Sequence, residues 1–313
     1  MSRKSGPQAE ATPKPPVQLP IKQLLLVLGL VATGYAAALL VWGDSPKTLL
    51  ARLASWSGLQ AAALCLLNYL LRGLRWRLWM AHYGRHFGLL QGLRLYLAGY
   101  AFTPTPGNVG EAVRGLLLAR SPLSARQSLA IFGAERLADL FCLLLLSLPA
   151  VGWLLGQGRM QAAPAWLTGL AAGLLAAALV LGALLQRFAW LQEAWRCLAV
   201  RPLVWLGLTL AAWAAQGLAV WLICRELNVN LELLTATGFY ALAMVAGALS
   251  ALPAGLGGTE AVLTGLLVAH SATPGQALAI TVLTRLLTLW LAVAIGLMAL
   301  LYSSAIRKEI SLR

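Results

Sequence analysis

The chain has 313 residues, 60% of them apolar and 11% charged, and its 24 Lys or Arg against 10 Asp or Glu give a net charge of +14. Soluble domains run at roughly 45–50% apolar and about 25% charged, so this composition excludes an ordinary soluble globular protein. Long uncharged runs separate the basic residues, which excludes the dense stripe of a nucleic-acid binder and points the charge at a membrane with anionic lipid.

Residues 1–20 hold five of the 14 prolines together with Arg3, Lys4 and Lys14 and show no apolar period, so a disordered basic cytoplasmic tail is expected. The apolar run at 23–42 reads as an uncleaved first span, because Trp42-Gly43-Asp44 offers no small-x-small cleavage site. A span takes about 20 residues. Apolar segments at 56–80, 88–103, 127–156, 163–186, 203–224, 233–252 and 276–302 bring the expected count to eight. So little chain remains that any chemistry or transport belongs within the membrane. Cys65, Cys142, Cys197 and Cys224 lie singly in or beside different apolar segments, with neither metal-type nor disulfide spacing.

Two further apolar segments, 107–119 and 257–270, are too short to cross. The first follows a break at Pro104, Pro106, Gly107 and Gly110, the second a break at Pro253, Gly255, Gly257 and Gly258. Broken backbone at membrane depth persists only where protein or a wet cavity satisfies it, so both segments read as re-entrant half-helices.

A shift of 149 residues superposes Trp56 on Trp205, Pro104 on Pro253, Glu111 on Glu260 and Arg136 on Arg285 without a gap. Residues this scarce in the composition hold register across separate segments, which marks an internal duplication. The expected architecture is an all-α polytopic membrane protein of about eight transmembrane helices in two four-helix repeats, each with one re-entrant half-helix. Repeat 1 covers 21–156, repeat 2 covers 163–302, and a basic cytoplasmic tail closes the chain at 303–313. Four crossings per half predict that the halves share one orientation about an axis along the membrane normal. With a cytoplasmic N-terminus, Arg72, Arg75, Arg77 and Arg85 join the tails on the inner side and both re-entrant segments enter from outside. Arg187, Arg196 and Arg201 then fall on the outer side, against the trend.

Ionisable residues inside a span cost roughly 2.5–3.5 kcal/mol each on insertion scales, so they require partners or water. Six stand in or at the mouth of apolar segments: Glu111, Glu135, Arg136, Asp139, Glu260 and Arg285. Glu135 and Asp139 share a helix face, with Arg136 in reach of Asp139, whereas the second half keeps the arginine but has Thr284 and Thr288 in place of the acids. Two readings follow. Arg136 and Arg285, one per half, grip a phosphate by their planar forks, or the glutamates and arginines form structural bridges that fix the re-entrant segments. In either case Glu111 and Glu260 should each lie near an arginine. The Gly-rich breaks can cradle an anion at a helix N-terminus, or simply be capped by these glutamates. His82 and His86 read as interface residues rather than metal ligands, and Trp42, Trp56, Trp153, Trp166, Trp205 and Trp221 as interfacial anchors.

The runs Pro106-Gly107-Asn108-Val109-Gly110-Glu111-Ala112-Val113-Arg114, Glu135-Arg136-Leu137-Ala138-Asp139, Pro253-Ala254-Gly255-Leu256-Gly257-Gly258-Thr259-Glu260-Ala261 and Thr284-Arg285-Leu286-Leu287-Thr288-Leu289-Trp290 resemble the flippase-like, lysylphosphatidylglycerol-synthase transmembrane-region family. The likeness runs from the first span to about residue 302 and implies a stand-alone member, without the aminoacyl-transfer domain found in multiple-peptide-resistance proteins. It implies a multi-pass bacterial inner-membrane protein in which Glu111, Arg114, Glu135, Arg136, Asp139, Glu260 and Arg285 line a lipid route. The expected partner is an anionic or polyprenyl-phosphate lipid, with lipid-biosynthesis enzymes as neighbours and no nucleic acid. No cofactor is expected, and the sequence has no Gly-x-x-x-x-Gly-Lys nucleotide run. The expected function is therefore translocation of a phosphate-bearing lipid rather than catalysis. The alternatives are an integral-membrane lipid-modifying enzyme and an accessory subunit of a lipid-synthesis complex.

Overall fold

The computed structural model describes residues 51–103, 105, 111, 112, 114, 123–156, 187–250 and 252–311, together with Gly29 and Thr33. The expected tail at 1–20, the apolar runs at 23–42 and 163–186, and most of the 107–119 segment with Pro104, Pro106, Gly107 and Gly110 lie outside these residues. Among the described residues the regular structure is helical and contains no strand. The helices are α1 (Trp56–His82), α2 (Leu89–Ala98), α3 (Ala125–Leu146), α4 (Leu148–Gly156), α5 (Ala189–Ala199), α6 (Pro202–Glu226), α7 (Leu233–Leu249), α8 (Gly258–Ala269), α9 (Pro274–Arg285) and α10 (Leu291–Ser311). A short 3-10 turn, Gly99–Phe102, extends α2, and a π-helical turn, Leu286–Trp290, joins α9 to α10. The helical stretches Ala125–Gly156, Pro202–Glu226 and Pro274–Tyr302 are long and apolar enough to cross a bilayer, and the chain is a membrane protein.

Sequence-local signals set where the helices start. Ser55 caps α1 by accepting from the Gly58 N–H at 3.1 Å. Ser124 with Gln127 and Thr273 with Gln276 each form a reciprocal capping box at the first turns of α3 and α9. These boxes stand 149 residues apart, so the duplication extends to the way its helices begin.

The direction of the helices departs from the sequence-based expectation. α1 and α6 are register mates under the 149-residue shift, and they pack on each other more extensively than any other described pair. Arg52 meets Glu226 at 3.4 Å, Asn68 donates to the Ala212 carbonyl at 2.8 Å and Arg75 donates to Thr209 at 2.9 Å. As one number rises the other falls. The mates are antiparallel.

The second pair of mates agrees. α2 runs against α1, with Gly73 on Tyr96 and Gly92 on Arg77, and α10 runs against α2, with Gly296 on Ala101 and Arg94 over the Tyr302 ring. α3 also runs against α1, because Arg72 reaches Asp139 while Trp76 shares a small cavity with Ser128 and Ile131. Hence α3 and the α9–α10 helix point in opposite directions, and halves sharing one orientation are ruled out by both pairs.

The physical reason lies in α7. Its 17 residues extend about 25 Å, short of a hydrocarbon core of about 30 Å. α8 then returns along it, with Gly247 packed on Thr259 near the break and the Phe239 ring 6.0 Å from His270 at the far end. Gln276 at the start of α9 donates to the Leu227 carbonyl just before α7, at 3.1 Å. The segment expected as a span at 233–252 is therefore one arm of a hairpin whose ends lie together. Between the arms, Pro253–Gly255 forms a 3-10 turn, and Ala254, Gly255 and Gly257 have φ of 54°, 66° and 81°. Two of these three left-handed positions carry glycine, the residue that adopts them without strain.

An expected result separates the two topologies. In Asn230→Cys and Gly275→Cys variants, both thiols should react with an impermeant maleimide from the same side, and His86→Cys from the other. The four native cysteines are buried and give little background. Labelling of Asn230→Cys and Gly275→Cys from opposite sides would restore the eight-crossing count.

Candidate functional site

Three elements of the first half bring charge inward: α1 with Arg72 and Arg75, the stretch carrying Glu111 and Arg114, and α3 with Glu135, Arg136 and Asp139. Asp139 accepts from Arg72 at 2.7 Å, from Arg75 at 2.6 Å and from the Trp213 indole at 3.2 Å. Glu135 accepts from Arg114 at 3.0 Å and lies 3.9 Å from Arg75. Glu111 accepts from Arg114 at 2.6 Å and from the Thr103 hydroxyl at 2.9 Å. The Arg114 guanidinium also lies 4.3 Å from the Tyr96 ring centroid, a cation–π arrangement suited to a site from which water is excluded. All these carboxylates and Arg114 are buried.

Arg136 is held more loosely, at 3.4 Å from both Glu111 and Asp139, and its side chain keeps 31% of its surface exposed. Its repeat mate is tight. Arg285 donates to Glu260 at 2.7 Å and to the Ala254 carbonyl at 2.8 Å, with 3% of its side chain exposed. The Glu111–Arg136 and Glu260–Arg285 pairs both span 25 residues, so the duplication preserves one interaction while the two halves hold it differently.

The halves meet at a cavity of about 80 Å³ whose polar lining includes Tyr69, Arg72, Glu111, Arg136 and Arg285. A second cavity of about 340 Å³ shares Arg136, Trp213, Met244 and Ala254 with it and adds Asp139. Arg136 thus stands where the two spaces join. Among the described residues the network holds five arginines against four carboxylates, a formal excess of one positive charge. The Nε atoms of Arg72 and Arg136, both in the lining of the smaller cavity, have no hydrogen-bond partner among the described residues. Buried donors without partners are costly, so the site is chemically prepared for an anion.

All seven expected site residues, Glu111, Arg114, Glu135, Arg136, Asp139, Glu260 and Arg285, fall within this network, and both glutamates have the arginine expected of them. Of the backbone-break residues, Pro253, Gly255, Gly257 and Gly258 form the turn between α7 and α8. The sequence reading missed Arg72 and Arg75. Both were assigned to a basic cluster facing the cytoplasm, but they are buried, and their i, i+3 spacing puts them on the face of α1 that meets Asp139.

The duplication itself carried a signal for them. Where Asp139 becomes Thr288, Arg72 and Arg75 become Trp221 and Cys224, and where Glu135 becomes Thr284, Arg114 becomes Leu263. Asp139 is thus lost together with Arg72 and Arg75, and Glu135 together with Arg114, whereas the Glu111–Arg136 pair is kept as Glu260–Arg285. Trp153, expected as an interfacial anchor, is half-buried and packs on Phe239 at 5.0 Å and on His270 at 5.3 Å.

Gly99 shows how closely this region is packed. A Cβ there would collide with the Arg114 side chain, which cannot retreat without leaving Glu111 and Glu135. Gly99→Ala should therefore destabilise the protein by about 1–3 kcal/mol, the usual cost of overpacking, with a lower unfolding temperature in detergent. An unchanged temperature would show that Arg114 has room to move.

No curated protein matches the chain. Residues 25–296, most of the sequence, match the family described as Lysylphosphatidylglycerol synthase TM region. The chain belongs to the Lysylphosphatidylglycerol synthase TM region family.

Proposed function

We propose that this protein translocates a phosphate-bearing lipid between membrane leaflets, with the headgroup passing the central cavity while the tails stay in the bilayer. The observation that carries this reading is the arginine excess at that cavity, with Arg136 partly exposed at its mouth. A bare phosphate in hydrocarbon is prohibitively costly, and a guanidinium fork replaces its water with two charge-assisted hydrogen bonds. Glu111 and Asp139 hold Arg136 in place when the site is empty. An arriving phosphate competes with them for the same guanidinium, and its negative charge offsets the formal excess of one positive charge in the network, while Glu111 keeps Arg114 and Asp139 keeps Arg72 and Arg75.

In this proposal α1, α3 with α4, α6 and α9 with α10 cross, and the apolar runs at 23–42 and 163–186 are counted as two further crossings on sequence hydropathy alone. The α7–α8 hairpin enters from one face, and the 88–119 region enters as its counterpart from the other. Three crossings per half account for the antiparallel mates. This topology also removes the anomaly of Arg187, Arg196 and Arg201, which fall on the same side as Arg85, Arg126 and both tails. By the positive-inside rule that side is cytoplasmic in this proposal, with both tails inside, in keeping with the expected bacterial inner-membrane location.

Inverted halves also suggest how access alternates. The shared Glu–Arg pair is loose and exposed in one half but tight and buried in the other. Exchange of the two conformations would open the cavity to the opposite leaflet. Leaflet-resolved lipidomics of a deletion strain tests the reading. Altered sidedness of an anionic or polyprenyl-phosphate lipid is expected, whereas disappearance of a lipid species would contradict it in favour of an enzyme.

A further inference from the structure

A third cavity among the described residues is not polar. A groove of about 460 Å³ lies between α3, α5 and the start of α6, walled by Leu137, Phe141, Leu144, Trp195, Leu198 and Trp205. Its volume falls within the roughly 300–1,000 Å³ of small-molecule sites. The one indole N–H of Trp205 is already spent on the Leu198 carbonyl at 2.7 Å, so that wall is held in place without offering a donor. The α5 wall is fixed in the same way. Arg126 reaches Glu193 at 3.1 Å, and Gly133 of α3 receives the Trp190 ring. The groove is built before any ligand arrives, and its occupant must be apolar.

Its position says which apolar group. Arg136, Asp139 and Leu143 face the polar cavity, and Leu137, Phe141 and Leu144 face the groove, so the two stripes are displaced by about 100° around one helix. Leu140 lines both spaces. From Leu137 to Leu144 the helix rises about 10 Å, so the groove follows α3 for at least that distance.

We infer that this groove holds one acyl chain of the lipid whose phosphate docks at Arg136. Arg136 and Leu137 are consecutive, so phosphate and tail lie at the same level of α3, within the reach of a glycerophospholipid. The tail runs along α3 toward Leu144. This assignment rests on the proposed function only in taking from it a lipid phosphate at Arg136. It requires binding, not flipping.

The test uses the full chain in phosphatidylcholine vesicles containing phosphatidylglycerol with a diazirine on one acyl chain. After photolysis, adducts should concentrate on Leu137, Phe141, Leu144, Trp195, Leu198 and Trp205 relative to Leu203 and Leu234, which line no part of the groove and are 84% and 68% exposed. Unlabelled phosphatidylglycerol should compete them away, and a diacylglycerol with the same labelled chain should give weaker labelling. Ala199→Trp, at the rim, should lower groove adducts about tenfold, the factor that roughly two buried methylenes carry. Ala199→Leu, a smaller plug, should lower them less.

Adducts spread evenly over outward residues and indifferent to both plugs would overturn the inference. So would a photoreactive residue at Phe141 that crosslinks to 163–186 or to a second copy. Groove adducts that respond to the plugs, in a protein that moves no lipid, would uphold the groove and remove the translocation reading. Translocation that both plugs leave intact, without groove adducts, would do the reverse.

Discussion

Asp139→Ala should destabilise the protein by about 3–5 kcal/mol, the range for removing one partner of a buried ion pair. The carboxylate is the shared acceptor of Arg72, Arg75 and Trp213 and lies 3.4 Å from Arg136. Its loss leaves two buried guanidinium groups without their nearest opposite charge. Asp139→Asn keeps the shape and one acceptor but not the charge, so it should fall only slightly less far. The readout is tryptophan fluorescence on heating in detergent at one fixed scan rate, because membrane proteins unfold irreversibly. The second half offers a built-in rescue. There the same positions are Thr288, Trp221 and Cys224, so Asp139→Thr combined with Arg72→Trp and Arg75→Cys should recover much of what Asp139→Thr alone loses. Additive losses would mean that these residues do not act as a set.

Arg136→Lys should abolish most translocation while changing stability by less than about 1 kcal/mol. Partly exposed ion pairs contribute about 0–1 kcal/mol, and the two contacts of Arg136 are long. What lysine loses is the planar fork that meets two phosphate oxygens at once, so it should impair transport nearly as much as Arg136→Ala. Arg285→Lys should show the opposite balance. Two short hydrogen bonds tie Arg285 to Glu260 and Ala254, and bonds involving a charged group are worth about 1.5–3 kcal/mol. Stability should fall at that position, with a milder effect on transport. Equal effects of the two lysine variants on both readouts would show that the halves do not divide these roles.

What the sequence made legible follows from what hydropathy and register can measure. Apolar length located α3, α6 and α9 with α10, and scarce residues in register located the duplication and the Glu–Arg pair that both halves share. Proline and glycine located the turn at 253–257, where the backbone needs positive φ. Direction was not legible, because a window of apolar residues has length but no sign. α7 is only about three or four residues short of a span, and that small deficit reverses the parity of the half. Arg72 and Arg75 were misplaced because charge counts treat every arginine near the end of a span as facing water. Their helical spacing, and the simultaneous loss of arginine and acid in the second half, were the features that located them.

The most direct measurement is translocation of fluorescent phosphatidylglycerol in proteoliposomes, followed by dithionite quenching of the outer leaflet. Vesicles with the native protein should lose nearly all of the signal, as inner-leaflet probe is carried outward. Vesicles with Arg136→Lys or Arg136→Ala, at matched protein content and with the native unfolding temperature, should retain the inner half. Full quenching with Arg136→Lys would show that a point charge suffices. Full quenching with Arg136→Ala would contradict the account and reduce the central network to a structural bridge.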